Sequence, residues 1–158
     1  MLLKFFDENL DVKRVVDIGT GCGGLTLLFG ANMLQRDGKV LSFDIDVLQS
    51  TQAQRDFEKL NIILEERDVF EEESVEIARK FIEGERALIF CDNGCKAREL
   101  PLYTQILKPG DFIMAHDWGI ELTQPDLDMY AARLSLLEPY RQEEFDEAET
   151  YILSMVRK

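Results

Sequence analysis

Two groups of residues in this chain have the types and spacing to do chemistry. The first is the run Asp17-Ile18-Gly19-Thr20-Gly21-Cys22-Gly23-Gly24, in which Gly19, Gly21 and Gly24 meet the G-x-G-x-x-G spacing. Glycines so placed permit a tight turn and let backbone approach a nucleoside-bearing ligand closely. Asp44, further along, is positioned to accept hydrogen bonds from ribose hydroxyls. The second group is Asp92 with the pair His116-Asp117. Carboxylate and imidazole donors with room for water suit a divalent ion such as Mg or Mn. Such an ion would hold two substrate hydroxyls and acidify one of them. The alternative for His116 is a hydrogen-bonded structural histidine.

These residues must be positioned by alternating strands and helices. Arg14 to Ile18 reads as a short buried strand running into the glycine loop, and Leu25, Leu28, Phe29 and Met33 follow at helical spacing up to the turn Asp37-Gly38. Val40 to Ile45, Ile62 to Glu66, Ala87 to Cys91 and Asp111 to Ala115 read as four more strands. Helices are expected over Val47 to Leu60, Ser74 to Ile82 and Ala97 to Leu107, the last broken by Lys108-Pro109-Gly110. A further helix is expected from Asp126 to Leu137, behind Pro125, and two short strands near Gln142 to Phe145 and Tyr151 to Val156. Alternation of this kind implies a doubly wound α/β fold, because each parallel return needs a crossover. Ligands of such sheets bind outside the carboxyl ends of the strands. Asp17, Asp44, Asp68, Asp92 and His116-Asp117 all fall at or just past such an end, so one edge of the sheet should carry them all.

Asp17 separates two kinds of ligand. A pyrophosphate beside the loop would be repelled by a carboxylate two residues before the first glycine, whereas the ammonium and sulfonium of S-adenosylmethionine would be favoured. The run Val16-Asp17-Ile18-Gly19-Thr20-Gly21-Cys22-Gly23 resembles the first motif of the class I S-adenosylmethionine-dependent methyltransferases at every defined position. Val40-Leu41-Ser42-Phe43-Asp44-Ile45-Asp46 resembles the second motif, with Asp44 in the place of the ribose-binding acid. Glu66-Arg67-Asp68-Val69-Phe70 resembles the third, which puts Asp68 and Val69 beside the adenine. The resemblance implies a Rossmann-like, seven-stranded, mostly parallel sheet with an antiparallel last strand. It also implies cofactor contacts from Asp17, Gly19, Thr20, Gly21 and Gly23.

The second half resembles the metal-dependent O-methyltransferases of the catechol, cephalosporin hydroxylase-like and macrolide-sugar types. These place an acid at the end of strand four and an acid–acid or acid–amide pair at the end of strand five. Asp92 and Asp117 match, while His116 departs from the usual acid. The resemblance implies a metal held by Asp92, His116 and Asp117, with Asp92 and Asp117 serving catalysis. Lys96 lies near the place of a catalytic lysine, one residue further from the strand-four acid than in the catechol type. The Asn-Pro-Pro-Tyr signature of amino-methylating nucleic-acid enzymes is absent after strand four, where Asp92-Asn93-Gly94-Cys95 stands instead, so O-methylation is expected.

Composition narrows the partners. The 158 residues suit one domain spanning 1–158, and 46 % hydrophobic with 31 % charged residues reads as globular. Thirty-one acids against eighteen bases give a net charge of −13, a field that repels phosphate backbones and disfavours nucleic acid as substrate. No apolar run is long enough to span a bilayer, and the acidic start of the chain does not read as a secretion signal. Three cysteines, an odd count, fit a reducing compartment, and the expected location is the cytoplasm. The expected substrate is a small molecule or sugar hydroxyl. Few residues precede the first strand, leaving the site open, and a second copy in a homodimer could supply a lid. Two other functions stay open: a non-catalytic S-adenosylmethionine-binding partner or sensor, and a dinucleotide-binding domain.

Overall fold

Apolar side chains along each central strand alternate between two faces, and both faces are covered. In the computed structural model, which describes residues 2–46, 51–137 and 152–158, the strands are β1 (Val12–Ile18), β2 (Lys39–Asp44), β3 (Ile62–Glu66), β4 (Arg86–Cys91), β5 (Phe112–Ala115), β6 (Leu134–Leu136) and β7 (Leu153–Arg157). The helices are α1 (Leu2–Glu8), α2 (Gly24–Leu34), α3 (Thr51–Lys59), α4 (Glu72–Phe81), α5 (Lys96–Thr104) and α6 (Gln124–Asp128). Val16, Ile18, Ile89 and Cys91 pack with α4 and α5 on one face. Val15, Leu88 and Phe90 pack with α1 and α2 on the other. Strands buried on both faces read as continuous apolar runs, which is why β1 and β4 stand out in the sequence.

The seven strands pair in the order β3-β2-β1-β4-β5-β7-β6. β1 lies parallel to both β2 and β4, and β4 parallel to β5, whereas β7 runs antiparallel to β5 and β6. This is the expected mostly parallel sheet with an antiparallel last strand. Strand order reverses between β1 and β4, and that opens a crevice at their carboxyl ends. Among the described residues, no helix is long and apolar enough to cross a membrane.

Three elements differ from expectation. The helix expected from Asp126 to Leu137 is short: α6 is set by a capping box between Thr123 and Asp126 and ends at Asp128. Leu134, Ser135 and Leu136 pair instead with Arg157, Val156 and Met155 of β7, so tertiary pairing overrides a locally helical sequence. α1 was not foreseen. Phe5 meets Phe112 edge-on at 4.9 Å and Phe6 meets Phe29 at 6.0 Å, an aromatic cluster that seats the helix on the sheet. The strand expected near Gln142 to Phe145, and the start of the helix expected from Val47, lie outside the described residues.

Candidate functional site

The β1–α2 loop is held by main chain. The amides of Gly19 and Thr20 both donate to the Phe43 carbonyl at 3.0 Å, tying the loop to the end of β2. Gly19 has φ +109, and a Cβ there would sit 2.6 Å from the Asp92 carbonyl oxygen. Only glycine lets β1 and β4 end in contact at this point. Asp44 reaches across and accepts the Gly21 amide at 2.8 Å and the Asp46 amide at 3.2 Å. The Thr20 and Ser42 hydroxyls lie 2.7 Å apart beneath. The result is an open cleft of about 320 Å³, lined by residues 19–25 together with Asp44, Asp92 and Asn93.

Asp17 lies under this loop and does not line the cleft. One oxygen, Oδ2, accepts the Thr26 hydroxyl at 2.6 Å and the Ser42 hydroxyl at 2.9 Å. The other, Oδ1, is buried with no hydrogen-bond partner among the described residues. Burial pushes the Asp17 carboxyl up to about 7, against the lowering effect of the two hydroxyls. A buried acceptor with no partner is costly, so Oδ1 marks a position that a donor or cation would satisfy.

The loop after β3 is built differently. Asp68 is exposed and accepts the Phe70 amide at 2.9 Å, while its carbonyl takes the Ser74 hydroxyl at 2.7 Å. Val69 is buried, and its carbonyl accepts the Tyr103 hydroxyl at 2.7 Å. Arg98 lies over the Phe70 ring at 3.8 Å. Neither Asp68 nor Val69 lines the glycine cleft. They belong to a neighbouring stretch of the same sheet edge.

At the ends of β4 and β5, the acids and the histidine converge. One donor atom each from Asp92, His116 and Asp117 fits within 4.8 Å of the others. His116 Nδ1 is 2.9 Å from Asp117 Oδ1 and 3.6 Å from Asp92 Oδ1. Successive residues of a strand point to opposite faces. Asp117 instead takes φ +59, which turns the chain so that neighbours 116 and 117 aim at one point. Asp tolerates this conformation better than most residues.

Lys96 is buried at the start of α5, its side chain fully covered. Its ammonium lies 3.5 Å from Asp92 Oδ1, 3.6 Å from Asp117 Oδ2 and 3.2 Å from Glu121 Oε2. Burial alone would lower its proton affinity, but Glu99, Glu121 and Asp92 outweigh that and raise it. Burial also raises Asp92, partly offset by His116 and Lys96. With a neutral histidine, one ammonium faces three carboxylates within 4 Å and Glu99 close by, so negative charge stays uncompensated. Hard oxygen donors, an imidazole and that charge deficit fit a divalent ion at Asp92, His116 and Asp117.

Sequence reasoning missed Glu121 and Glu99. Glu121 sits in the irregular β5–α6 segment, where no periodicity marks it. Glu99 accepts the Cys95 amide at 2.8 Å and the Asn93 amide at 3.4 Å from a fully buried position. A capping box would have betrayed it, but its offset from the N-cap is one residue too long.

No protein-family model and no curated protein matches the chain. Solved structures do. One of CmcI with Mg and SAM superposes with a TM-score of 0.71 at 16 % identity, over 99 % of this chain and 70 % of that one. A candidate O-methyltransferase from Klebsiella pneumoniae gives 0.61 at 16 %, over 99 % and 78 %. MycE, a methyltransferase of mycinamycin biosynthesis in complex with Mg and SAH, gives 0.64 at 13 %, over 98 % of this chain but 48 % of its own. The chain has the methyltransferase fold. Within that fold, Asp44 and Asp92 line the glycine cleft and Asp92, His116 and Asp117 form the adjoining cluster, whereas Asp17 lies beneath the loop and Asp68 and Val69 lie beside the cleft.

Proposed function

We propose that this chain binds S-adenosylmethionine in the glycine cleft and transfers its methyl group to a hydroxyl of a small molecule held at Asp92, His116 and Asp117. One observation carries the proposal: Asp92 lines the glycine cleft and also belongs to the acid–imidazole cluster. Donor and acceptor would therefore meet at a single residue.

Each residue then has a role. The backbone of Gly19, Thr20, Gly21 and Gly23 closes around the donor. Asp44 exchanges its bonds to the loop amides for ribose hydroxyls, and Asp17 Oδ1 draws the ligand's positive end toward β1. Asp68 takes the adenine amino group, with Val69 anchoring that turn. A divalent ion at Asp92, His116 and Asp117 would supply a lowered pKa for an acceptor hydroxyl. Support comes from the charge deficit and from the Mg in the CmcI and MycE structures. Lys96 holds Asp92, Asp117 and Glu121 in place, and its ammonium favours negative charge on the acceptor oxygen. Since a sulfonium is already a good leaving group, alignment is most of the catalysis. The net charge of −13 favours a small molecule over nucleic acid as acceptor, with the cytoplasm as the setting.

A second reading rests on the 2.9 Å contact between His116 and Asp117. If His116 Nδ1–H donates to Asp117, Nε2 is left to take the acceptor's proton. Divalent-ion binding separates the two. Trp118 is the chain's sole tryptophan and adjoins Asp117. Mn should quench its emission in the wild type and not in Asp92→Asn or Asp117→Asn, and labelled methyl should pass to a catechol or sugar diol faster with Mn or Mg. Quenching unchanged in both variants would remove the metal, and transfer that survives full chelation would favour the histidine.

A further inference from the structure

We infer that Glu99 is a positioning residue, whose carboxylate sets the β4–α5 turn so that Asp92 serves the cleft and the acid–imidazole cluster at once. The inference rests on the proposed use of the glycine cleft for S-adenosylmethionine.

The turn Asp92-Asn93-Gly94-Cys95 has little to hold it locally. Gly94 takes φ +80, and Cys95 stands at the N-cap of α5 with φ −147, ψ 63 and no side-chain cap. Cysteine is a poor cap, and the first amides of a helix have no partner within it. Glu99, one turn into α5, supplies the missing acceptor from inside. Its Oε1 takes the Cys95 amide at 2.8 Å, and its Oε2 lies 3.4 Å from the Asn93 amide. Both residues flank Gly94, so one rigid carboxylate fixes the turn on either side of its most pliable residue.

The other end of the turn has no slack. The Asp92 amide donates to the Ile18 carbonyl at 2.8 Å, and the Asp92 carbonyl lies against Gly19. The His116 amide donates to the Cys91 carbonyl at 3.1 Å. Any shift at Asn93 or Cys95 is therefore passed to the cleft wall, to Asp92 and to Lys96, which follows Cys95 directly. A buried carboxylate is costly without compensation. Here burial still holds the Glu99 carboxyl above the usual range, and the Cys95 amide, Lys96 and the Asn93 amide offset part of that cost. Glu99 neither lines the cleft nor offers a donor atom to the acid–imidazole cluster; it acts through the Asn93 and Cys95 amides and Lys96, which is why its role is positioning.

Three variants separate amide bonding from charge. Glu99→Gln keeps the length and one carbonyl acceptor for Cys95 but drops the charge. Glu99→Asp keeps the charge but is one methylene too short to reach. Glu99→Ala loses both. S-adenosylhomocysteine affinity by calorimetry, and hydrogen exchange of the Asn93 and Cys95 amides by NMR, are the readouts. We expect Ala and Asp to weaken binding roughly 10-fold and to speed exchange at Cys95, and Gln to restore most of both. If Ala does not fold, the Gln and Asp pair decides. Asp matching the wild type while Gln fails would assign Glu99 to charge balance at Lys96 and overturn the inference. Unchanged affinity in Asp and Ala would overturn it too. Wild-type protein that binds no S-adenosylhomocysteine would instead strike at the cleft's proposed ligand, while faster Cys95 exchange in Asp than in Gln would still uphold the turn geometry.

Discussion

The glycine cleft and the acid–imidazole cluster share Asp92 and are built in opposite ways. The cleft is mostly main chain on main chain, with two loop amides on the Phe43 carbonyl and a glycine pressed against the Asp92 carbonyl, and the Asp44 carboxylate on the Gly21 amide adds a side-chain tie. The cluster is side chain on side chain, with Asp92, Lys96, Asp117 and Glu121 drawn from the β4 end, the α5 start and the segment after β5. A backbone site is written into a few consecutive residues. A side-chain site is assembled by the fold, and its stability hangs on charge pairing.

That contrast breaks most sharply at Lys96. Lys96→Met would leave the carboxylates of Asp92, Asp117 and Glu121 without their buried counter-ion. The three carboxylates are each about a third exposed, so losing the ammonium should cost roughly 2–3 kcal/mol, a fall of roughly 5–10 °C in Tm for a chain of this size. Added Mg or Mn should recover part of that fall if the charge deficit is what destabilises the variant. A Tm equal to wild type would mean that the lysine does not hold the cluster together.

Asp17 sharpens the comparison from the cleft side, through pH. Its carboxyl is raised to about 7 from 3.8, so the folded protein keeps the proton that the unfolded chain releases. Stability is therefore greatest below pH 4 from this group and declines as pH rises through the interval 4–7, by about 4 kcal/mol in all. Asp17→Asn should remove that decline and be more stable than wild type at pH 8 in urea titrations. The same ionisation should strengthen binding of a cationic ligand between pH 6 and 7.5 in the wild type alone. Parallel stability–pH curves for the two proteins would place Asp17's titration elsewhere.

Within the loop the three motif glycines are not equivalent. Gly19→Ala meets the Asp92 backbone and an unfavourable φ, and should cost about 1–3 kcal/mol and the cleft's shape with it. Gly24 begins α2 with open space around it and a φ outside the left-handed region, so Gly24→Ala should leave stability unchanged or slightly higher. Equal losses at both positions, measured by denaturant unfolding, would contradict the main-chain account of the loop.

Legibility in the sequence followed the same division. Strands β1, β2, β4 and β5 are apolar runs that end at an acid or at the histidine–acid pair, so both the sheet and the edge residues Asp44, Asp92, His116 and Asp117 could be placed in advance. Lys96 was visible only as a lysine near Asp92; that it is buried among three acids follows from where α5 and the segment after β5 pack. Glu121 and Glu99 carried no local signature, because their partners are remote or at an uncommon offset. The segment after Asp128 looked helical because its residues favour helix, and β7, far along the chain, made part of it a strand.

The central claim, that the cleft takes S-adenosylmethionine, is tested most directly by calorimetric titration with S-adenosylhomocysteine and, separately, NAD. The account predicts binding of S-adenosylhomocysteine, no response to NAD, and an affinity at least ~10-fold weaker in Asp44→Ala, where charge-assisted bonds to the ribose are lost. Binding of NAD with no response to S-adenosylhomocysteine would contradict it.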